Sequence, residues 1–178
     1  MGAHLEVVHR VRVEDVARTL EPRFNLFDAI TLRQDYPGSA HHATKSIFLR
    51  WPDPPGVDTW FLDIGHVDTP VLKAWPEAQV LLEEIELFTG RTLGKAMLVM
   101  LKPGGGIDWH FDQGEYAAAH YRLHVPIVPC PAAALFSGNE AFAPSPGDVV
   151  RYDTTVLHSA ANFGATPRIH LIVDYRKV

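Results

Sequence analysis

The chain has 178 residues, 47% of them hydrophobic, which is enough for one sizeable core and close to the common size of a single domain. Its formal charge of -5 and pI near 6.0 come from mixed charges without a basic block, so neither nucleic acid nor an anionic membrane is an expected partner. Cys130, the one cysteine, has no internal disulfide partner, which suits a reducing, cytoplasmic location; residues 1–10 lack a long apolar run, so no signal peptide or anchor is expected.

The texture changes near residue 90, and one domain over 1–178 is expected, with residues 1–92 as mixed helix and strand support and 93–178 as a β core. Leu5 to Val8 is a predicted strand, and Val13 to Leu20 a predicted helix with Glu14 and Asp15 at its positive end and Pro22 stopping it. Ile47 to Trp51 and Phe61 to Ile64 are predicted strands, separated by Pro52, Pro54 and Pro55. Pro76 to Phe88 is the clearest helix, because Val80, Leu81, Ile85 and Phe88 recur at helical spacing and Gly90 follows as a cap. Beyond Leu93, short apolar runs alternate with Gly, Pro, Asn and Asp: Met97 to Leu101, Tyr121 to Val128, Ala133 to Phe136, Asp148 to Tyr152, Val156 to Ala160 and Arg168 to Tyr175. About eight strands in so short a span predict a mainly β fold, a double-stranded β-helix of the jelly-roll, cupin-like kind, with the N-terminal helices packed outside.

His110-Phe111-Asp112 places a histidine and a carboxylate two apart, so that both point to one face if they share a strand. His66-Val67-Asp68 has the same form, so the tripeptide alone does not decide. Context does: His110 follows the turn Pro103 to Gly106 out of an apolar strand and has His158 in another strand 48 residues on, whereas His66 precedes Thr69-Pro70 and a helix. Two imidazoles and one carboxylate occupy one face of an octahedron around Fe(II) and leave three positions open, so His110, Asp112 and His158 form an expected facial triad. Arg168, ten residues after His158, is placed on a strand expected to run back beside the histidine strand, with its fork on the distal carboxylate of 2-oxoglutarate. Arg122 and His124 share a strand face and are expected to present donors to the co-substrate's other carboxylate or to the substrate. Trp109 and Phe111 are expected to pack away from the metal, and Gly104 to Gly106 to make a tight turn rather than a phosphate loop.

The segments "LKPGGGIDWHFD", "YRLHVPIV" and "PGDVVRYDTTVLHSAANFGATPRIHLIVDY" resemble, in order and spacing, those of the aspartyl/asparaginyl β-hydroxylase family, whose bacterial relatives include cis-specific proline hydroxylases. The resemblance spans roughly Lys95 to Tyr175. It implies a double-stranded β-helix, iron on His110 and His158, 2-oxoglutarate on Arg168, and cofactor or substrate contacts for Arg122 and His124. Animal members that act on epidermal-growth-factor-like domains carry glycine where Asp112 stands; this chain keeps the carboxylate and so is more similar to bacterial members. Val99 stands where the animal members place a serine near the distal end of the co-substrate, with Tyr152 or Asn162 as replacement donors.

The expected activity is therefore that of a dioxygenase using Fe(II), 2-oxoglutarate and dioxygen to hydroxylate an amino-acid side chain. Asp or Asn at the β-carbon in a peptide comes first, and a free amino acid such as proline is the alternative. His41, His42, Lys45 and Arg50, with the Trp51 to Gly56 loop, are a candidate substrate lid. A non-catalytic metal-binding cupin is the rival from another class, disfavoured because Asp112 and Arg168 occur together.

Overall fold

The computed structural model describes residues 4–56 and 58–177. β1 (Leu5–Arg10) leads to α1 (Glu14–Leu20), a 3-10 segment (Glu21–Asp28), α2 (Leu32–Asp35), β2 (Thr44–Pro52) and β3 (His66–Asp68). Pro22 does not turn the chain out of helix: it sits in the first turn of the 3-10 segment, where a missing N–H costs nothing. Phe61 to Ile64 is a turn followed by irregular chain and not a strand, because its neighbours Asp58 to Trp60 already form a turn. α3 (Pro70–Lys73) and α4 (Pro76–Thr89) follow, and Gly90 ends α4 at φ 63 with its N–H donating to the Glu86 carbonyl.

Eight strands succeed one another from there: β4 (Leu93–Leu101), β5 (Gly106–His110), β6 (His120–Val128), β7 (Ala133–Ser137), β8 (Glu140–Phe142), β9 (Asp148–Tyr152), β10 (His158–Asn162) and β11 (Arg168–Arg176), with α5 (Glu115–Ala119) before β6. They fold into two antiparallel sheets, a larger one in the order β1-β9-β6-β11-β4-β2-β3 and a smaller one in the order β5-β10-β7-β8. This is a double-stranded β-helix, mainly β, whose larger sheet is widened by strands from the N-terminal half.

Strand alternation gives the larger sheet two different faces. One face carries Ile47, Leu49, Leu98, Leu123, Val125, Leu171 and Val173 and buries them against Leu20 of α1, Trp75, and Leu81 and Ile85 of α4. Full burial of a side chain of this size is worth about 1.5–3 kcal/mol, so this layer holds the molecule together. The intervening residues of β6 and β11, Arg122, His124, Arg168, His170 and Asp174, face the other way. They share that side with a smaller apolar cluster of Leu101, Ile107, Leu135, Tyr152 and Ala160. A buried sheet face carrying five ionisable groups is costly to fold and makes this face the candidate location of a functional site.

Candidate active site

The turn from β4 to β5 sets the first histidine. Gly104 has φ 67, and a Cβ on Gly105 would meet Ala43 and the Lys102 carbonyl at 3.0 Å, so the tight turn requires glycine at both positions. β5 then carries His110 to its last position, directly opposite His158, the first residue of β10. Asp112 lies two residues past the end of β5 rather than on it, its N–H donating to the Thr154 carbonyl at 3.2 Å. That bond ties the carboxylate to the loop before His158.

The two imidazole rings lie 4.2 Å apart. His110 Nδ1 donates to the Asp108 carbonyl at 2.7 Å and His158 Nδ1 to the Val156 carbonyl at 2.8 Å. Those bonds fix the tautomer and leave both Nε2 lone pairs free, at 3.6 and 3.8 Å from Asp112 Oδ1. Among the described residues, His110, Asp112 and His158 are the one group of three whose potential ligand atoms come within 4.8 Å of one another. A single ion with bonds of roughly 2.1 Å would bridge them after a small contraction.

Burial opposes ionisation of Asp112, but the Arg122 guanidinium, followed by His158 and His110, outweighs it and holds the carboxyl below its usual range. Arg122 hydrogen-bonds Asp112 through Nη1 and grips Asp174 through Nε at 2.8 Å and Nη2 at 2.9 Å. All three guanidinium nitrogens are thus engaged within the chain.

Arg168 is the opposite case. It is 1% exposed, and Nε, Nη1 and Nη2 all lack a hydrogen-bond partner among the described residues. Burial pushes its pKa down to about 10. The strand it opens does not run beside the histidine strand as expected: β11 pairs with β4 and β6 in the larger sheet, while His158 belongs to the smaller one. Arg168 therefore belongs to the inward face of the larger sheet with His170, whose pKa is lowered by burial and then by the Arg168 charge. His124 lies there too, its ring 4.8 Å from that of Tyr152, which is 5.1 Å from that of His158. Burial, then the Arg168 charge, holds His124 well below its usual pKa, so it is neutral. An unpaired buried guanidinium costs several kcal/mol, and a ligand carboxylate is the group that would relieve it.

His110, Asp112 and Arg122 also line an open cleft of about 640 Å³, with Arg33, Lys95, Trp60, Phe61 and Tyr116 on its other walls. A cavity of about 20 Å³ continues inward past His158, His124 and Tyr152; Arg168 lines neither. Trp109 and Phe111 do not pack into a core: they are 52% and 50% exposed, and Phe111 lines the cleft.

Of the proposed lid, only His41 reaches the site, its ring 5.0 Å from that of His110. His42 is exposed beside Gln34, Lys45 pairs with Asp28, and Arg50 is held by Asp68 and Glu86 on β2. His66 lies on β3 against Tyr116, away from this cluster, and Asp68 is occupied by Arg50 at 2.6 Å. Val99 is fully buried beside Ser46 and His170; the Tyr152 hydroxyl and the Asn162 amide are both engaged with backbone carbonyls. Asp174, Lys95 and Arg33 escaped the sequence reading, although the alternation Arg168-Ile169-His170-Leu171-Ile172-Val173-Asp174 carries the signal for the first.

A family model described as aspartyl/asparaginyl beta-hydroxylase matches residues 30–177. The structure is similar to a 2OG-Fe(II) oxygenase family oxidoreductase from Burkholderia pseudomallei, at 12% identity and a TM-score of 0.56 over 94% of this chain and 91% of that one. It also matches a predicted oxalate decarboxylase from Thermotoga maritima at 17% identity and a TM-score of 0.39, over 52% of this chain and 73% of that one. No curated protein matches the sequence.

Proposed function

The chain belongs to the aspartyl/asparaginyl β-hydroxylase family, an enzyme of the dioxygenase class, and on that premise we propose that it uses Fe(II) and 2-oxoglutarate to hydroxylate an amino-acid side chain. A peptide-borne Asp or Asn, at the β-carbon, is the first candidate substrate, because the cleft is wide and open enough to admit a chain segment. A free amino acid such as proline is the alternative.

In this reading His110, Asp112 and His158 hold the iron, and the observation that carries it is the buried Arg168 guanidinium, which has no hydrogen-bond partner among the described residues. A zinc site of three ligands would serve hydrolysis as well, but it gives no use for a cation sunk between the sheets. Arg168 receives the distal carboxylate of 2-oxoglutarate as a bidentate partner. Arg168 lines neither the cleft nor the inner cavity and is enclosed within the fold. When bound, iron and 2-oxoglutarate supply the activation of dioxygen and the oxidation of a C–H bond.

The protein's own share is positional. Asp108 and Val156 fix the two imidazoles, and Arg122 keeps Asp112 ionised and aimed; a carboxylate arriving at Arg122 would have to share it with Asp112 and Asp174. Neutral His124 offers a ring nitrogen without a hydrogen-bond partner among the described residues, a donor or acceptor for the co-substrate or substrate. Leu135, Ile107 and Ile172 supply the apolar part of the inner cavity's wall.

Anaerobic titration with Fe(II) and then 2-oxoglutarate tests the reading. A weak visible charge-transfer band that needs both components is expected, and a protein that never develops it is not this kind of oxygenase. Succinate release screened over Asp- and Asn-containing peptides and free amino acids then identifies the substrate.

A further inference from the structure

Lys95 on β4 is 3% exposed and lines the cleft, yet it has no carboxylate partner among the described residues. Its Nζ donates to the Trp60 carbonyl at 2.6 Å and sits 4.2 Å from the Trp60 ring centroid and 3.6 Å from that of Tyr116. One carbonyl and two ring faces hold the ammonium in place without neutralising it. Burial pushes its pKa down to about 7, against the opposing pull of the Asp174 carboxylate.

Arg33 stands in the same condition. It is 9% exposed, donates to the Ser46 hydroxyl at 3.1 Å, forms no ion pair among the described residues, and lines both the cleft and the inner cavity. Asp112 is the sole carboxylate among the residues lining the cleft, and Arg122 already occupies it. Three cations, Arg33, Lys95 and Arg122, thus face two carboxylates, Asp112 and Asp174, and one net positive charge is left over beside walls otherwise built from Trp60, Phe61, Phe111 and Met97. A cleft of this kind is complementary to an anion with an apolar body.

We propose that Lys95 and Arg33 form the receptor for a carboxylate of the substrate, which is therefore an anionic amino acid or residue rather than a neutral amide. The proposal rests on the oxygenase reading above and adds to it the charge of the substrate and the residues that select it. The carboxylate has two chemical sources, the side chain of a peptide-borne aspartate or the α-carboxylate of a free amino acid.

The test uses the full chain loaded anaerobically with Fe(II) and 2-oxoglutarate, and calorimetric titration with two matched pairs: N-acetyl-L-aspartic acid α-amide against N-acetyl-L-asparagine α-amide, and L-proline against L-prolinamide. The carboxylate member of at least one pair is expected to bind ten-fold or more tightly than its amide. Lys95→Met and Arg33→Met are each expected to bring that pair to within about three-fold while leaving the Fe(II)–2-oxoglutarate band unchanged. Preference within the capped pair assigns the carboxylate to a side chain; preference within the proline pair assigns it to the α-carbon. If neither pair shows a preference, or if the preference survives both substitutions, the assignment is overturned. A missing absorption band in the unsubstituted protein is a separate outcome, which removes the oxygenase reading itself.

Discussion

Asp112 is held by Arg122, and Arg122 in turn by both oxygens of Asp174, its cross-strand neighbour on β11. The carboxylate assigned to the metal is thereby anchored in the centre of the larger sheet. Arg122→Met leaves two carboxylates without their cation, one of them, Asp174, 2% exposed. Loss of such a partner costs about 3–5 kcal/mol, so a marked fall in the urea midpoint is expected. Metal affinity should fall about 10–100-fold, as it does when groups that orient a ligand are removed. Fe(II) titration of Arg122→Met at low temperature checks this, and an unchanged affinity would show that Asp112 needs no orientation.

Arg168 carries an unusual combination of expectations. In the ligand-free protein its buried charge is unpaired, so Arg168→Met should stabilise the fold by about 1–3 kcal/mol. In the unsubstituted protein, 2-oxoglutarate at a hundred times its Kd should add about 2.7 kcal/mol of stability, and in the variant nothing. Thermal unfolding with and without 2-oxoglutarate reads both effects. A variant that is destabilised, or still stabilised by 2-oxoglutarate, removes Arg168 from the role.

What the sequence makes legible here is local. Six of the eight strands beyond Leu93 follow from short apolar runs cut by turn residues, β5 and β8 being too short and polar to be read as such runs, and α4 follows from its helical spacing and Gly90, because each signal lies within a dozen residues. Pairing between distant segments leaves no such trace, so nothing in Arg168 to Tyr175 told that β11 would join the larger sheet instead of lying beside the histidine strand. For the same reason β1 and β2 read as outlying support, although they pair with β9 and β4 in the larger sheet. The triad was legible in residue identity and not in placement, since Asp112 reaches the histidines from a loop. Lys95 and Arg33 were invisible because an isolated cation signals nothing until its missing counter-ion is seen.

The two His-x-Asp tripeptides separate in a paired experiment. Asp112→Ala removes a ligand from the cluster and should lower succinate formation by at least about 100-fold, equivalent to 2.7 kcal/mol or more in the barrier. Asp68→Ala only releases Arg50, which Glu86 and the Leu93 carbonyl still hold, so activity should be near normal and stability lower by about 1 kcal/mol. Loss of activity in Asp68→Ala with retention in Asp112→Ala would reverse the assignment.

Stability of the metal-free protein should fall on the acid side of neutrality. His124 and His170 are both held well below the usual 6.5, first by burial and then by the Arg168 charge. In the unfolded chain they take up protons near 6.5, and in the folded one they do not, so the unfolded state binds more protons as pH falls below that value. Their contribution is therefore complete above about pH 6.5 and is lost below it, by about 1.4 kcal/mol for each histidine at pH 5.5. His41, His66, His120 and His158 are shifted in the same direction and add to the slope. Asp112 adds nothing to the slope in this window, because it titrates below its usual 3.8. His170→Leu should leave the fold intact and reduce the loss between pH 7.5 and 5.5 by the share of one histidine, about 3–6 °C in Tm for a chain of this size. A melting temperature independent of pH over that range would mean that the ionisable face of the larger sheet is not buried as the structure has it.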